Sequence, residues 1–327
     1  MLYLHGMGHY HPKNTITNTF FEELGINTTS EWILDRVGIH ERRTDLPLDY
    51  IKQTYNSNPA QMKDHWNANT AAAIQAAGQM ALQRADITAN EIGLVIGGSS
   101  SPIYSVPTLA SFASNALGIN CPCYDVNSGC AMFNAHLDLV NKLEQSTLPD
   151  YILLVTSDHL TRSVNFADRS TAVLFGDCTT VAVLSKKIRS NMEITYTFLD
   201  SSPQGWDLIT IPTGGHISMS GREVQKFAIK KTMESLEKAA QASSYRPSDH
   251  YFIGHQANLS MLQYVCKKLS IDTSKHLYNV DLFGNCGGAS APSVLSQNWD
   301  KFISGDEIGI AVVGTGLAWG ASHIRVT

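Results

Sequence analysis

Short apolar runs rich in β-branched residues alternate along this chain with helix-length segments that are amphipathic or wholly apolar. The runs at 92–96, 151–155, 181–184, 251–253 and 308–313 are continuous rather than alternating, which predicts strands buried on both faces. The segments 69–83, 108–117, 131–144, 224–242 and 259–269 predict helices. Strands alternating with helices predict an α/β fold. The pattern also repeats. A long helix at 69–83 leads to the strand before Gly97 and Gly98, and a second at 224–242 leads to the strand before Gly254 and His255. Each is followed by a helix and then by a tight turn that opens another helix, at 124–130 and again at 277–288. This predicts an internal duplication with its seam near 170–190, divided here as 1–175 and 176–327. Strand ends facing a shared crevice are where such sheets place their chemistry.

Composition narrows the class. The 327 residues are 43% hydrophobic and 16% charged, enough for a sizeable core with little material for disordered tails. A net charge of −5 argues against a dedicated nucleic-acid binder. The first residues lack a basic segment followed by a long apolar run, and no stretch approaches the roughly 18 apolar residues of a membrane span. Six cysteines in a chain of this length fit reduced thiols better than a disulfide framework. A soluble, cytoplasmic protein is expected, without nucleic acid or membrane as partner.

Three residues carry candidate chemistry. Cys130, in Asp125-Val-Asn-Ser-Gly-Cys130, is expected at the N-terminus of a core helix, where free N–H groups and the macrodipole favour a thiolate able to attack a thioester. The same residue reads equally as a small buried cysteine. His255, in Gly254-His255-Gln-Ala-Asn258, projects from a strand end, where a neutral imidazole can donate a hydrogen bond or shuttle a proton; a capping or core histidine fits the same pattern. Asn285, in Phe283-Gly-Asn285-Cys-Gly-Gly, lies between glycines that expose its amide to a developing oxyanion, or it simply occupies a Gly-rich turn. The Cys121-Pro-Cys123 pair and His5, His9 and His11 lack convincing metal-ligand spacing, so no metal is expected.

Taken in order, Cys130, His255 and Asn285, separated by about 125 and 30 residues, resemble the Cys-His-Asn triad of ketoacyl-ACP synthase III, a thiolase-superfamily enzyme. The resemblance runs nearly end to end. It includes Gly6-Met-Gly-His-Tyr-His-Pro12, Ser30-Glu-Trp32-Ile-Leu-Asp-Arg36, Phe175-Gly-Asp177, Gly221-Arg-Glu-Val224 and Gly314-Thr-Gly316-Leu-Ala-Trp319. It implies a thiolase fold of five layers (α-β-α-β-α), a homodimer and ping-pong chemistry. An acyl-CoA loads Cys130, and malonyl thioester on acyl carrier protein then decarboxylates and attacks. By the same resemblance, His255 and Asn285 hold the malonyl thioester oxygen, and the backbone N–H groups of Cys130 and Thr315 form the other oxyanion hole. Trp32, Arg36 and Arg169 are implied in CoA binding, with Arg222, Lys226, Lys267 and Lys268 at the CoA or carrier-protein surface. No metal or redox cofactor is implied; CoA and carrier thioesters are substrates.

Four positions depart from the family's common pattern. Ser260 stands where a carrier-docking arginine is frequent, and Arg222 where an asparagine near the CoA thiol is common. Cys286 follows the triad asparagine in place of a small hydroxyl or aliphatic residue. Val106 stands where many members place an aromatic that closes the partner subunit's acyl pocket, which implies room for acyl groups longer than acetyl. Two further readings stay open: transfer of the acyl group to another acceptor, forming an ester, amide or ring, and a non-catalytic partner subunit.

Overall fold

The apolar runs pair into a sheet that shows the same strand order twice. The computed structural model describes residues 1–243 and 245–327, side chains 63–65 excepted. Ten strands form a continuous sheet: β1 (Leu2–Tyr10), β2 (Ile92–Gly98), β3 (Cys123–Asp125), β4 (Tyr151–His159), β5 (Asp177–Ser185), β6 (Met192–Ser201), β7 (Tyr251–Gly254), β8 (His276–Leu277), β9 (Glu307–Gly314) and β10 (Ala318–Val326). Their spatial order is β8-β7-β9-β10-β6-β1-β5-β4-β2-β3. In the first set β2 pairs in parallel with β3 and β4, while β5 runs antiparallel to β4 and β1. In the second set β7 pairs in parallel with β8 and β9, while β10 runs antiparallel to β9 and β6. Among the described residues, the sets are joined by backbone pairing where Leu2–Leu4 of β1 meets Met192–Ile194 of β6.

The boundary between the sets lies between Ser185 and Met192. The division at 175/176 therefore falls one strand early, because β5 is hydrogen-bonded to β1 and β4 of the first set.

Helices complete the layers: α1 (Ser30–Val37), α2 (Lys63–Ala85), α3 (Leu109–Leu117), α4 (Met132–Lys142), α5 (Gly221–Ser243), α6 (Leu259–Leu269) and α7 (Ser290–Gln297). Between the two sets of strands lie α4 and α7. In α4, Met132–Asp138 and Val140 are buried, and α7 is buried from Ser290 to Ser296, as a helix covered on all sides must be. Each crosses over: α4, from the first half, packs on β6 and β10, and α7, from the second, packs on β1 and β5. Outside, α2 and α3 cover the first set of strands and α5 covers the second with α6 against it, giving five layers.

Of the predicted helices, 259–269 matches α6 end to end, while α2 and α5 each extend beyond their predicted ends. The strands β1, β6 and β10 have no counterpart among the predicted runs. In β1 the reason is visible: a Cβ at Gly6 would lie 2.2 Å from the carbonyl oxygen of Ala81, and one at Gly8 only 1.8 Å from that of Ala77. The backbone of α2 rests directly on the strand, so glycines replace the apolar side chains by which a strand is recognised. No described helix is long and apolar enough to cross a membrane.

Candidate active site

The turn that carries Cys130 is built from backbone geometry. Asp125, ending β3, accepts the N–H groups of Leu109 and Ala110 at 2.8 Å each and so ties the start of α3 to the turn. Asn127 then spans it: its Oδ1 accepts the N–H of Gly129 at 2.9 Å, and its Nδ2 donates to the carbonyl of Ser99 at 2.7 Å. Cys130 follows in a short 3₁₀ turn, Gly129–Ala131, that opens α4.

The surroundings of Cys130 correct one expectation. Burial, reinforced by the carboxylate of Asp158, pushes the thiol up to about 12. The helix N-terminus does not outweigh that desolvation, so the resting group is the thiol rather than a standing thiolate.

His255 directly follows β7. Its N–H donates to the carbonyl of Ala311 at 2.9 Å, continuing the pairing with β9, and the residue is only 5% exposed. Burial lowers the imidazole to about 4, so it is neutral at neutral pH. Its two neighbours in the motif have structural tasks that the sequence left unread. Buried Gln256 accepts the N–H groups of Asn279 and Val280 at 3.0 and 3.2 Å, fixing the segment that leads to Asn285. Asn258 caps α6 by accepting the N–H of Met261 at 2.8 Å.

Asn285 is held on three sides. Its N–H donates to Leu174 at 2.8 Å, its carbonyl accepts the N–H of Gly176 at 3.0 Å, and its Oδ1 accepts the N–H of Gly287 at 2.9 Å. With Oδ1 engaged, the amide NH2 is the group left to donate. Here the Phe175-Gly-Asp177 motif finds its role: a Cβ at Gly176 would lie 2.1 Å from the carbonyl oxygen of Phe283, so only glycine lets the two turns approach.

One cavity of about 340 Å³ is lined by Cys130, His255 and Asn285 together. Its mouth holds Trp32, Arg36 and Arg169, and its walls include Leu174, Val224 and Leu317. The guanidinium carbons of Arg169 and Arg36 lie 4.9 and 5.7 Å from the Trp32 ring centroid, an arrangement suited to a flat, anionic ligand such as a nucleotide. Arg222 and Lys226 are exposed on the first turns of α5, whose Gly221, Val224 and Gln225 line the cavity. Lys267 and Lys268 are exposed at the last turn of α6, away from the lining. Val106 is 80% exposed and lines no part of this cavity, so within one chain it is not an acyl-pocket residue.

His5, His9 and His11 hydrogen-bond to Ile188, Ser296 and Asp177 respectively and do not converge on a common point. Asp45, His159 and Asp177 do bring potential ligand atoms within 4.8 Å of one another. There, however, Arg162 donates to Asp45 at 2.9 Å, and Asp177 accepts both the N–H and the hydroxyl of Thr161. The guanidinium already supplies the cation, and this group reads as a buried ion-pair network.

Family models for 3-oxoacyl-ACP synthase III match residues 124–203, and for its C-terminal part residues 240–326. Among curated proteins, the beta-ketoacyl-ACP synthase III of Coxiella burnetii is 30% identical over 335 residues, covering 99% of this chain and 98% of the relative. That of Clostridioides difficile is 28% identical, covering 98% and 97%. The crystal structure of the Aquifex aeolicus enzyme superposes with a TM-score of 0.86 at 26% identity, covering 99% of this chain and all of that one. With the Cys-His-Asn residues gathered in one cavity of a twice-wound α/β fold, this chain belongs to the 3-oxoacyl-ACP synthase III family of the thiolase superfamily and is an acyltransferase.

Proposed function

We propose that this ketosynthase forms its carbon–carbon bond through an acyl-Cys130 intermediate, with His255 and Asn285 serving the decarboxylative half-reaction. The reading rests on one observation: a single cavity presents the thiol, a neutral imidazole and an amide NH2 together. In loading, the Cys130 sulfur attacks the carbonyl of an acyl-CoA. The backbone N–H groups of Cys130 and Thr315 hold the tetrahedral oxyanion, and CoA leaves as the thiol with the proton. Supporting this, neither N–H has an intramolecular acceptor among the described residues, and the two turns touch: a Cβ at Gly314 would lie 2.9 Å from the nitrogen of Cys130.

In condensation, a malonyl thioester loses carbon dioxide. The electrons of the broken bond form an enolate whose oxygen accepts hydrogen bonds from His255 and Asn285, which are worth most in a dry site. The enolate carbon attacks the acyl thioester, and Cys130 leaves with a proton to restore the thiol. No step requires a metal or redox cofactor.

Trp32, Arg36 and Arg169 would hold the CoA nucleotide. Arg222, Lys226, Lys267 and Lys268 would meet an acidic carrier protein. A homodimer would bring Val106 to the partner's acyl pocket. Six free cysteines fit a reducing, cytoplasmic setting.

Intact-protein mass spectrometry after exposure to a panel of acyl-CoAs tests the first half, and carbon dioxide release from malonyl carrier protein tests the second. Loading without carbon dioxide release would favour transfer to another acceptor; no loading at all would overturn the reading.

A further inference from the structure

Asp158, the penultimate residue of β4, is fully buried, and its carboxylate lies where the two halves of the site meet. Oδ1 accepts the N–H of Ser100 at 2.5 Å and the hydroxyl of Ser99 at 3.3 Å. Oδ2 accepts the N–H of Gly288 at 2.7 Å and the hydroxyl of Ser100 at 3.3 Å. From Ser99 the connection runs to the nucleophile, since its carbonyl holds Asn127 and Asn127 holds the N–H of Gly129. From Gly288 it runs to Asn285, whose Oδ1 is held by the intervening Gly287. The fit is tight: a Cβ at Gly287 would stand 2.3 Å from Asp158 Oδ2. A buried carboxylate is expensive unless its oxygens are satisfied, and these are satisfied by Ser99 and Ser100, which hold the Cys130 turn through Asn127, and by Gly288 of the Asn285 turn.

We propose that Asp158 is a positioning residue that locks the turn of Cys130 and the turn of Asn285 into one frame, so that the thiol and the amide face one cavity in a fixed relation. Its catalytic consequence rests on the acyl-Cys130 reading; the frame itself does not. Asp158 also acts on the nucleophile directly, as the second cause, after burial, of the raised Cys130 thiol. The titratable groups around it are Cys130 at the start of α4, Cys178 on β5 and Cys286 after Asn285, with neutral His255 across the cavity. Among the causes that shift Cys130, Asp158 is the one charged side chain.

Asp158→Asn tests this at constant volume. The amide NH2 must face either the N–H of Ser100 or that of Gly288, so one tie breaks and the charge is lost. Alkylation of Cys130 by iodoacetamide, followed against pH, should shift its midpoint down by about one unit. Condensation should fall about a hundredfold, the scale of a misplacement near 1 Å, with the KM for acyl-CoA unchanged because the Trp32 mouth is untouched. A folded variant that condenses at the wild-type rate overturns the proposal, whatever its alkylation midpoint. Should Asp158→Asn fail to fold, Ser99→Ala removes a hydroxyl in contact with the same carboxylate and should slow condensation by less; unchanged condensation overturns the proposal there too. If the wild type takes up no acyl group, the functional reading fails, and thermal unfolding then decides the frame: an Asp158→Asn variant as stable as wild type overturns it.

Discussion

The side chain of Thr315 lies against Gly129 so closely that a Cβ at residue 129 would stand 2.2 Å from Thr315 Oγ1. Gly129 also has φ +53°, in the left-handed region. The turn that carries Cys130 and the turn that carries Thr315 are thus packed with no room for a methyl group. Gly129→Ala should destabilise the protein by about 1–3 kcal/mol through the clash and the strained φ. It should slow acyl loading more than a distant substitution of equal destabilisation. Thermal unfolding together with the loading rate checks this; a variant with wild-type loading would show that the Thr315 contact does not set the nucleophile's position.

Cys130→Ala should take up no acyl group and have no turnover while keeping its fold, because alanine fits within the cysteine's volume. Mass spectrometry of the variant after acyl-CoA exposure reads this directly. Covalent uptake at any comparable rate would assign the nucleophile to another thiol.

His255→Ala and Asn285→Ala should separate the half-reactions. Both should still load, since loading uses the backbone N–H groups, and both should lose condensation about a hundredfold or more. Single-turnover condensation of the pre-acylated variants is the measurement. Loss of loading with normal condensation would reverse the assignment.

Stability should fall on mild acidification. His9, His136, His255, His276 and His323 are lowered to about 4 and His11 to about 3, with burial the first cause in each. A histidine whose folded pKa is depressed binds its proton only when unfolded between its folded value and about 6.5. Its contribution is therefore complete above about pH 6.5 and is lost as pH falls through the folded value. Asp158, Asp177 and Asp281, raised chiefly by burial, work in the opposite direction but are three groups against six. Urea midpoints at pH 7 and pH 5 should differ in favour of pH 7; a flat or inverted profile would contradict the assignment of these imidazoles as buried and neutral.

Acyl-chain preference should depend on Val106 through a second copy of the chain, since the residue is 80% exposed in one chain. If the partner's pocket receives it, valine leaves space that an aromatic would fill. Three extra buried methylenes, at about 0.8 kcal/mol each, correspond to about fiftyfold in binding. Loading rates for acetyl-CoA and octanoyl-CoA in wild type and Val106→Phe decide the matter. Strong acetyl preference in the wild type, unchanged by the substitution, would remove Val106 from the pocket.

The sequence by itself determined what depends on neighbours along the chain. Burial on two faces makes a strand continuous in apolar residues, so β2, β4 and β9 were legible; the helical spacing of α6 placed that helix end to end. The ordered residues Cys130, His255 and Asn285 were legible as a family pattern. Only the tertiary structure decided what depends on residues far apart. Strand β1 is spelled with glycines because α2, far along the chain at Ala77 and Ala81, lies on it. The boundary between the strand sets follows from the pairing of β5, which no local pattern encodes. The Cys130 thiol is held protonated by burial and by Asp158 from another strand, against what its helix N-terminus alone would favour. Periodicity and motif record the local surroundings of a residue, whereas burial, charge and close approach are set by whatever the fold brings against it.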